Sequence, residues 1–139
     1  MDLDRFVQAQ KDSYEQALSE IKSGEKRSHW MWYIFPQIAG LGHSAMSQRY
    51  SIKSLAEAKA YLGHPVLGPR LIICGEALLN LENRSADGIF GFLDAKKLRS
   101  SVTLFAAASP GESIFQQLLS KYFCGEHDPA TLHLLESNA

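Results

Sequence analysis

The chain has 139 residues and a mass of 15.4 kDa, a size that predicts a single domain spanning residues 1–139. Apolar residues make up 45% of the sequence and charged residues 21%, a composition that is typical of a folded globule and excludes general disorder. The 14 Lys and Arg residues face 15 Asp and Glu residues, so the formal net charge is -1. This balance argues against a protein dedicated to nucleic-acid binding.

The N-terminal segment is acidic and polar and lacks the apolar stretch of a secretory signal. No apolar run approaches the roughly 20 residues that cross a bilayer. We therefore expect a cytoplasmic protein without a membrane span. Cys74 and Cys124 lie far apart and form neither a CxxC pair nor a metal-ligand cluster. They predict two reduced thiols in the core, and no metal site.

The first third of the chain predicts one long helix and a short aromatic one. Residues 3–22 place apolar side chains at helical spacing, and Gly24 suits the C-terminal end of that helix. Residues 29–35 read HWMWYIF and are apolar in every direction. Such a segment is buried or lines a pocket. We predict a helical turn that Pro36 stops.

The middle of the chain carries several helix-start signals. Ser44 suits the N-cap of a short segment, and Ser54 opens an S-x-x-E capping box whose helix closes at Gly63. Pro65 suits the first position of the next helix, which we expect to have an irregular first turn and to run to about Glu82.

The last third predicts three more helices. Residues 83–91 read as a linker, and residues 95–108 as a helix with Asp94 at its N-cap. After a break, a second helix ends at Gly125, and Asp128 caps a final short one. No segment alternates with the period of a strand. The sequence therefore predicts an all-α fold, a compact bundle of about six helices with short loops.

Short segments along nearly the whole chain carry a resemblance to a known family. They are His29 to Gln37 (HWMWYIFPQ), Gly40-Leu41-Gly42 with Ser44, Tyr50 with Ile52, Glu57-Ala58, Tyr61-Leu62, His64-Pro65, Leu67-Gly68, Arg70-Leu71, Ile89-Phe90-Gly91, Asp94, Lys97-Leu98, Ser100-Ser101, Thr103-Leu104-Phe105, Tyr122-Phe123, Gly125, Asp128 and Thr131-Leu132. Together they resemble the bacterial Domain of Unknown Function family 1810, sometimes mislabelled calpastatin-like. The resemblance implies a small all-α fold and a bacterial source, but no established activity.

The aromatic segment holds four candidate ligand-binding residues, His29, Trp30, Trp32 and Gln37. In a helix His29 and Trp32 share one face, whereas Trp30 lies on another face with Gln37 further along. Two interpretations stay open. The segment is either a plug on which other helices converge, or an aromatic wall that stacks a planar ligand such as a nucleobase. Lys26 and Arg27, just upstream, either meet a phosphate or belong to a solvated turn.

The helix after Asp94 carries three more candidates within its apolar arc, namely Asp94, Lys97 and Ser101. The opposite side holds Lys96, Arg99, Ser100 and Thr103. Either Asp94 caps, Lys97 extends towards water and Ser101 packs, or the three line a polar pocket. We expect them to face inward around a pocket shared with the aromatic segment and with Arg70.

Arg70 follows the broken turn HPVLGP near a helix start, where an anion can bind. His64 in that turn is better suited to capping or packing than to acting as a base. The sequence contains no HExxH, GxSxG or phosphate-loop motif. Cys74 lies on an apolar helix face, which argues against a reactive thiolate.

These residues favour a binding domain for a small anionic ligand, such as a nucleotide or another phosphorylated metabolite, without a cofactor. One alternative is an N-glycoside hydrolase acting on ADP-ribose derivatives, by loose analogy with the NADAR family, with Asp94 or Asp128 as acid/base. Another is a protein-interaction or structural module. The sequence leaves open whether the protein is an enzyme and in what oligomeric state it exists.

Overall fold

The computed structural model describes residues 2–137, which contain ten helices joined by turns and loops and no strand. They are α1 (Asp4–Lys11), α2 (Tyr14–Ser23), α3 (Met31–Ile34), α4 (Ala45–Arg49), α5 (Leu55–Gly63), α6 (Leu67–Leu79), α7 (Ala86–Phe90), α8 (Phe92–Ala108), α9 (Ile114–Phe123) and α10 (Pro129–Ser137). The all-α prediction is confirmed. The count of about six helices is too low, because one predicted helix is divided and short helices form in segments predicted as turns or links.

The predicted helix over residues 3–22 is two helices. The chain bends at Asp12 and Ser13, so α2 starts afresh at Tyr14. The Ser13 hydroxyl does not cap α2 but accepts a hydrogen bond of 2.9 Å from the hydroxyl of Tyr33. The bend thus joins the first helices to the aromatic segment. Gly24 ends α2 in the left-handed conformation (φ 81°), as predicted.

Three predicted N-caps are confirmed. The Ser44 hydroxyl accepts a hydrogen bond from the Ser47 amide at 3.1 Å. The Ser54 hydroxyl accepts one from the Glu57 amide at 3.2 Å. Asp128 caps α10 through the amide of Thr131, 3.1 Å from its Oδ2. Each cap satisfies a backbone donor that the helix itself leaves free.

Two predicted helix starts are wrong. Helix α6 begins at Leu67 rather than at Pro65, because His64 Nδ1 accepts the amide hydrogens of Val66 and Leu67 and so closes the turn before the helix. The capping role expected of His64 is confirmed. Helix α8 begins two residues before Asp94, which therefore lies in the first turn and is not the N-cap. Gly91, at φ 82°, takes the N-cap position.

The core is organised around α8, which packs against α5, α7, α9 and α10. Most of the aromatic segment belongs to this core. Trp30 and Phe35 both pack against Phe90, with ring centroids 6.2 Å apart in each pair and near-perpendicular planes. For these residues the plug interpretation is correct. Trp32, by contrast, is only half-buried.

The two cysteines have different surroundings. Cys74 is buried, and this burial raises the pKa of its thiol to about 12, consistent with an unreactive core residue. Cys124 is exposed at the C-terminal end of α9. The prediction of two core thiols is therefore wrong for Cys124. None of the helices in residues 2–137 is both long and apolar enough to cross a membrane.

Candidate ligand-binding site

A carboxylate shared by two lysines links α8 to the aromatic segment. Lys26 Nζ lies 2.9 Å from Asp94 Oδ2, and Lys97 Nζ lies 3.3 Å from Asp94 Oδ1. Each ammonium also lies over an indole ring: Lys26 is 5.2 Å from the ring centroid of Trp30, and Lys97 is 5.4 Å from that of Trp32. Asp94 and Lys97 therefore face the aromatic segment, as predicted. We call Lys26, Asp94 and Lys97 the lysine–aspartate cluster.

The two lysines of this cluster differ in exposure. The side chain of Lys26 is 9% exposed, whereas that of Lys97 is 30% exposed. Two ammonium groups share one carboxylate, so the cluster carries an excess positive charge. Because charge is most available where the side chain meets solvent, Lys97 is the member that can contact a ligand.

Lys97 also lines a cavity of about 330 Å³ between α8, α10 and the loop after α3. Its lining residues are Gln37, Leu41, Lys96, Lys97, Arg99, Ser100, Asp128 and Ala130. We call this cavity the α8–α10 cleft. Three cationic side chains and one carboxylate line it, so its walls carry a net positive charge, which favours an anionic ligand.

Hydrogen bonds hold the α10 side of the cleft in place. Arg99 donates from Nε to the carbonyl oxygen of Glu126 at 2.9 Å and from Nη2 to that of His127 at 2.7 Å. Asp128 Oδ2 accepts from Ser100 Oγ at 3.0 Å and from Thr131 Oγ1 at 2.5 Å. The guanidinium and the carboxylate are thus fixed before any ligand arrives, which lowers the entropic cost of binding.

Two larger grooves run along α9, with volumes of about 530 and 830 Å³. Their charged lining residues are Glu76 in the first, and Glu112 and Lys121 in the second. The first groove is mainly apolar, formed by side chains such as Ile72 and Phe115. Neither groove offers the concentration of cations found in the smaller cleft, so the cleft is the better anion site despite its size.

Comparisons with known proteins give a family and a similar solved structure. The profile of DUF1810, described as a protein of unknown function, matches residues 1–135. The chain belongs to this family. Among solved structures, the fold is similar to the crystal structure of the conserved hypothetical protein Rv1873 from Mycobacterium tuberculosis, which is 48% identical over 97% of this chain and 96% of that chain, with a TM-score of 0.95. A search of curated proteins finds no match.

Within this DUF1810 protein, the predicted aromatic candidates separate. Trp30 is 1% exposed, and its Nε1 donates a 3.0 Å hydrogen bond to Glu20 Oε1. It is a core residue and offers no wall to a ligand. His29 is exposed and does not line the cleft. Gln37 lines the cleft, whereas Trp32 does not line it but lies under the ammonium of Lys97, which does.

Arg70 is not part of this site. Its guanidinium lies 4.8 Å from the ring centroid of Tyr14 and contacts Gln10 Oε1 at 3.4 Å. Gln10 in turn donates to the hydroxyl of Tyr61. Arg70 therefore belongs to a network between α6 and the first two helices, and the predicted grouping of Arg70 with Asp94 and Lys97 is wrong.

Ser101 is also misplaced by the sequence analysis. It is 1% exposed, and its Oγ has no hydrogen-bond partner among residues 2–137. It faces inward as predicted but does not line the cleft, whereas the neighbouring Ser100 does. The cleft is built largely from the side of α8 opposite to the predicted one. No local signal in the sequence shows this, because the helix that covers that side, α10, is joined to it by the long-range hydrogen bond from Ser100 to Asp128.

Proposed function

We propose that the protein binds a small anionic ligand, such as a nucleotide or another phosphorylated metabolite, in the α8–α10 cleft. The observation that carries the proposal is the meeting of Lys96, Lys97 and Arg99 around a cavity of about 330 Å³. That volume lies at the lower end of the range typical of small-molecule sites, about 300–1,000 Å³. The single domain over residues 1–139, the cytoplasmic location and the bacterial source remain predictions.

Each part of the cleft has a distinct task in this proposal. The ammonium groups and the guanidinium form charge-assisted hydrogen bonds with phosphate or carboxylate oxygens. The amide of Gln37 can donate to or accept from uncharged polar groups of the ligand. Trp32 does not line the cleft, but its half-buried ring lies under the ammonium of Lys97 and offers a face to a planar group when Lys97 turns away. Together these contacts favour a ligand with both an anionic and a planar part.

A thermal-shift screen with nucleotides, ADP-ribose, NAD and other phosphorylated metabolites tests the proposal. A ligand present at 100 times its dissociation constant stabilises the fold by about 2.7 kcal/mol. At about 4 °C per kcal/mol for a domain of this size, the melting temperature should then rise by roughly 10 °C. Lys97→Met should remove the shift. The matched control is Lys59→Met, which changes an exposed lysine on α5 and should keep it.

Two results would contradict the proposal. One is a flat screen with the wild-type protein. The other is a ligand that shifts wild type and Lys97→Met by the same amount, because such a ligand binds elsewhere.

One observation favours hydrolysis of an N-glycoside of ADP-ribose as a second candidate function. Asp128 lies in the same cleft as the cations, and its Oδ1 accepts no hydrogen bond among residues 2–137. Both oxygens of Asp94, in contrast, are paired with lysines. Asp128 is therefore the better acid/base of the two carboxylates named from the sequence.

The hydrolase alternative is tested by incubating the protein with NAD and with ADP-ribosylated nucleosides, and by measuring release of ADP-ribose. Asp128→Asn should abolish release while preserving the cap of α10, since Asn is as good an N-cap as Asp. Release that persists in Asp128→Asn contradicts this alternative.

A protein-interaction role is favoured by a different observation. Phe92 and Leu93, at the start of α8, are 63% and 71% exposed. Adjacent exposed apolar side chains are typical of contact surfaces. Replacing both with Ser should leave the metabolite screen unchanged and should lower any concentration-dependent association seen by light scattering. If association is unaffected, this surface makes no contact.

A further inference from the structure

We propose that the ligand of the α8–α10 cleft carries two linked anionic groups, as a diphosphate does, and that Lys97 leaves Asp94 to bind one of them. This inference rests on the proposed function. It adds the chemical class of the ligand and a lysine that exchanges Asp94 for the ligand on binding. It follows from the angular placement of the cations on α8 and from the unequal sharing of Asp94.

The cations stand on two flanks of one helix. At about 100° per residue, Lys97 and Arg99 are separated by about 160° around α8, with Lys96 and Ser100 between them. All four line the same cleft. Helices with side chains are about 10–12 Å across, so side chains on nearly opposite flanks reach positions that one phosphate cannot contact together. Two linked anionic groups span that distance.

Arg99 cannot move towards Lys97 so that both contact the same phosphate. Its Nε and Nη2 are held by the carbonyl oxygens of Glu126 and His127, at 2.9 and 2.7 Å. One anionic group therefore binds where Arg99 already is. The second anionic group binds on the side of Lys97. Gln37 also lines the cleft on that side. Ser100 and Lys96 lie beneath the link between the two groups.

Lys97 is free to turn towards the ligand because Asp94 keeps another partner. Lys97 Nζ is 3.3 Å from Asp94 Oδ1 with its side chain partly exposed, whereas Lys26 Nζ is 2.9 Å from Asp94 Oδ2 and buried. When Lys97 moves, the Asp94 carboxylate retains the shorter, more buried ion pair. The exchange then breaks one partly exposed ion pair only, and such pairs contribute little to stability. Asp94 therefore competes weakly with the ligand for Lys97.

The same movement uncovers Trp32. The Lys97 ammonium lies 5.4 Å from the centroid of the Trp32 ring. The chain contains two tryptophans, and the other, Trp30, is buried with its own lysine, Lys26. A change in tryptophan emission on ligand binding should therefore come from Trp32.

The experiment titrates the wild-type protein with pyrophosphate and with orthophosphate, by calorimetry and by tryptophan fluorescence. Pyrophosphate should bind at least about ten-fold more tightly than orthophosphate, because a second charge-assisted contact is made. Lys97→Met should weaken pyrophosphate binding by about ten-fold for the same reason. Trp32→Phe should remove the fluorescence change but keep the heat of binding. Lys59→Met should match wild type.

The decisive variant is Asp94→Asn. Removal of the competing carboxylate should tighten pyrophosphate binding by about two- to five-fold, the amount by which an exposed ion pair biases an equilibrium. Because the loss of a negative charge also strengthens the positive potential of the cleft, the same substitution is made in the Lys97→Met background. The exchange of Lys97 predicts no gain there, whereas an equal gain in both backgrounds would contradict it. Since Asp94→Asn leaves Lys26 unpaired, the double variant Asp94→Asn with Lys26→Met serves if the single one does not fold. The double variant frees Lys97 from Asp94 and leaves no buried, unpaired lysine at position 26.

The outcomes separate this inference from the function on which it rests. If metabolites from the screen bind in a Lys97-dependent way but pyrophosphate binds no better than orthophosphate, the diphosphate class is wrong and the anion-binding function stands. Unchanged or weaker pyrophosphate binding in both Asp94 variants overturns the exchange of Lys97. If no anion binds the wild-type protein, the proposed function fails and this inference fails with it.

Discussion

Trp30 and Trp32 are nearly adjacent in the chain and each lies under a lysine that shares Asp94, yet their surroundings differ. Trp30 is 1% exposed, and its indole N–H is bonded to the carboxylate of Glu20. Trp32 is half-buried, and the ammonium of Lys97, which lines the cleft, lies over its ring. Trp30 is the N-cap of α3, with a non-helical backbone, whereas Trp32 lies within the helix; one indole points into the core and the other towards the surface.

The carboxylates of the two regions differ in the same way. Glu20 accepts hydrogen bonds from the amides of Arg27 and Ser28, from Trp30 Nε1 at 3.0 Å, and from Gln16 Nε2 at 2.7 Å. Both oxygens of Glu20 are therefore occupied by hydrogen bonds within the fold. Asp94 is shared by two lysines, and one of them also reaches a cleft. The first region is therefore closed and structural, whereas the second retains charge that a ligand can use.

The sharpest test of this contrast compares alanine at the two tryptophans. Trp30→Ala should lower the free energy of unfolding by about 3–5 kcal/mol, because it leaves a cavity in the core and removes the hydrogen bond from the indole N–H to Glu20. Trp32→Ala should cost about 1 kcal/mol, as is usual for a partly exposed side chain. Equilibrium unfolding in urea measures both. Equal losses would show that the two rings are equally structural.

The next largest effect is expected at Glu20. Glu20→Gln keeps the shape but replaces one acceptor oxygen with an amide donor, which faces the donors that the carboxylate satisfied. We expect a loss of about 2–3 kcal/mol, the cost of removing hydrogen bonds to a charged group. Glu15→Gln, an exposed change on the same helix, is the control and should stay within about 0.5 kcal/mol of wild type. A comparable loss in both variants would contradict the structural role of Glu20.

The stability that Glu20 provides should depend on pH. Burial alone raises the pKa of Glu20, but hydrogen bonds from the Ser28 and Gln16 side chains and from the amides of Arg27 and Ser28 outweigh it, so the pKa lies well below its ordinary value of 4.5. A depressed pKa stabilises the fold above the unfolded-state value and ceases to do so as pH falls towards the folded-state value. The gap in unfolding free energy between wild type and Glu20→Gln should thus narrow below about pH 4.5. A constant gap down to acid unfolding would contradict this origin.

Local signals predicted much of the fold. The caps at Ser44, Ser54 and Asp128 involve residues three apart or fewer, and the sequence therefore shows both partners. The bend before Tyr14 was missed, because the partner of Ser13 is the Tyr33 hydroxyl, which lies far along the chain.

The candidate site was predicted only in part, for the same reason. The turn of α8 places Asp94 and Lys97 together, and helical periodicity revealed that pair. Which helix covers the other flank of α8 is a tertiary fact, and α10 covers it through Asp128 and Ser100. The periodicity therefore gave no indication that Arg99 lines a cleft. Arg70 was misassigned because its partners belong to the first two helices.

The smallest expected effect contrasts two adjacent serines of α8. Ser100 Oγ donates to Asp128 Oδ2 at 3.0 Å, whereas the buried Ser101 Oγ has no partner among residues 2–137. Ser100→Ala should cost about 1 kcal/mol, the usual value of one hydrogen bond. Ser101→Ala should be neutral or stabilise the fold by up to about 1 kcal/mol. It removes a buried hydroxyl that loses its contact with water on folding and forms no hydrogen bond in return.

Thermal unfolding of the two variants, with and without a ligand from the metabolite screen, measures both effects. A ligand-induced shift that is intact in Ser101→Ala places Ser101 in the core alone, in keeping with its absence from the lining of the cleft. A smaller shift in Ser101→Ala than in wild type would instead show that Ser101 reaches the ligand. A marked loss of stability without ligand would show that its hydroxyl has a bonding partner in solution. Only the smaller ligand-induced shift would move Ser101 from the closed region of the molecule to the one that retains binding capacity, whereas the loss of stability would give it a structural role.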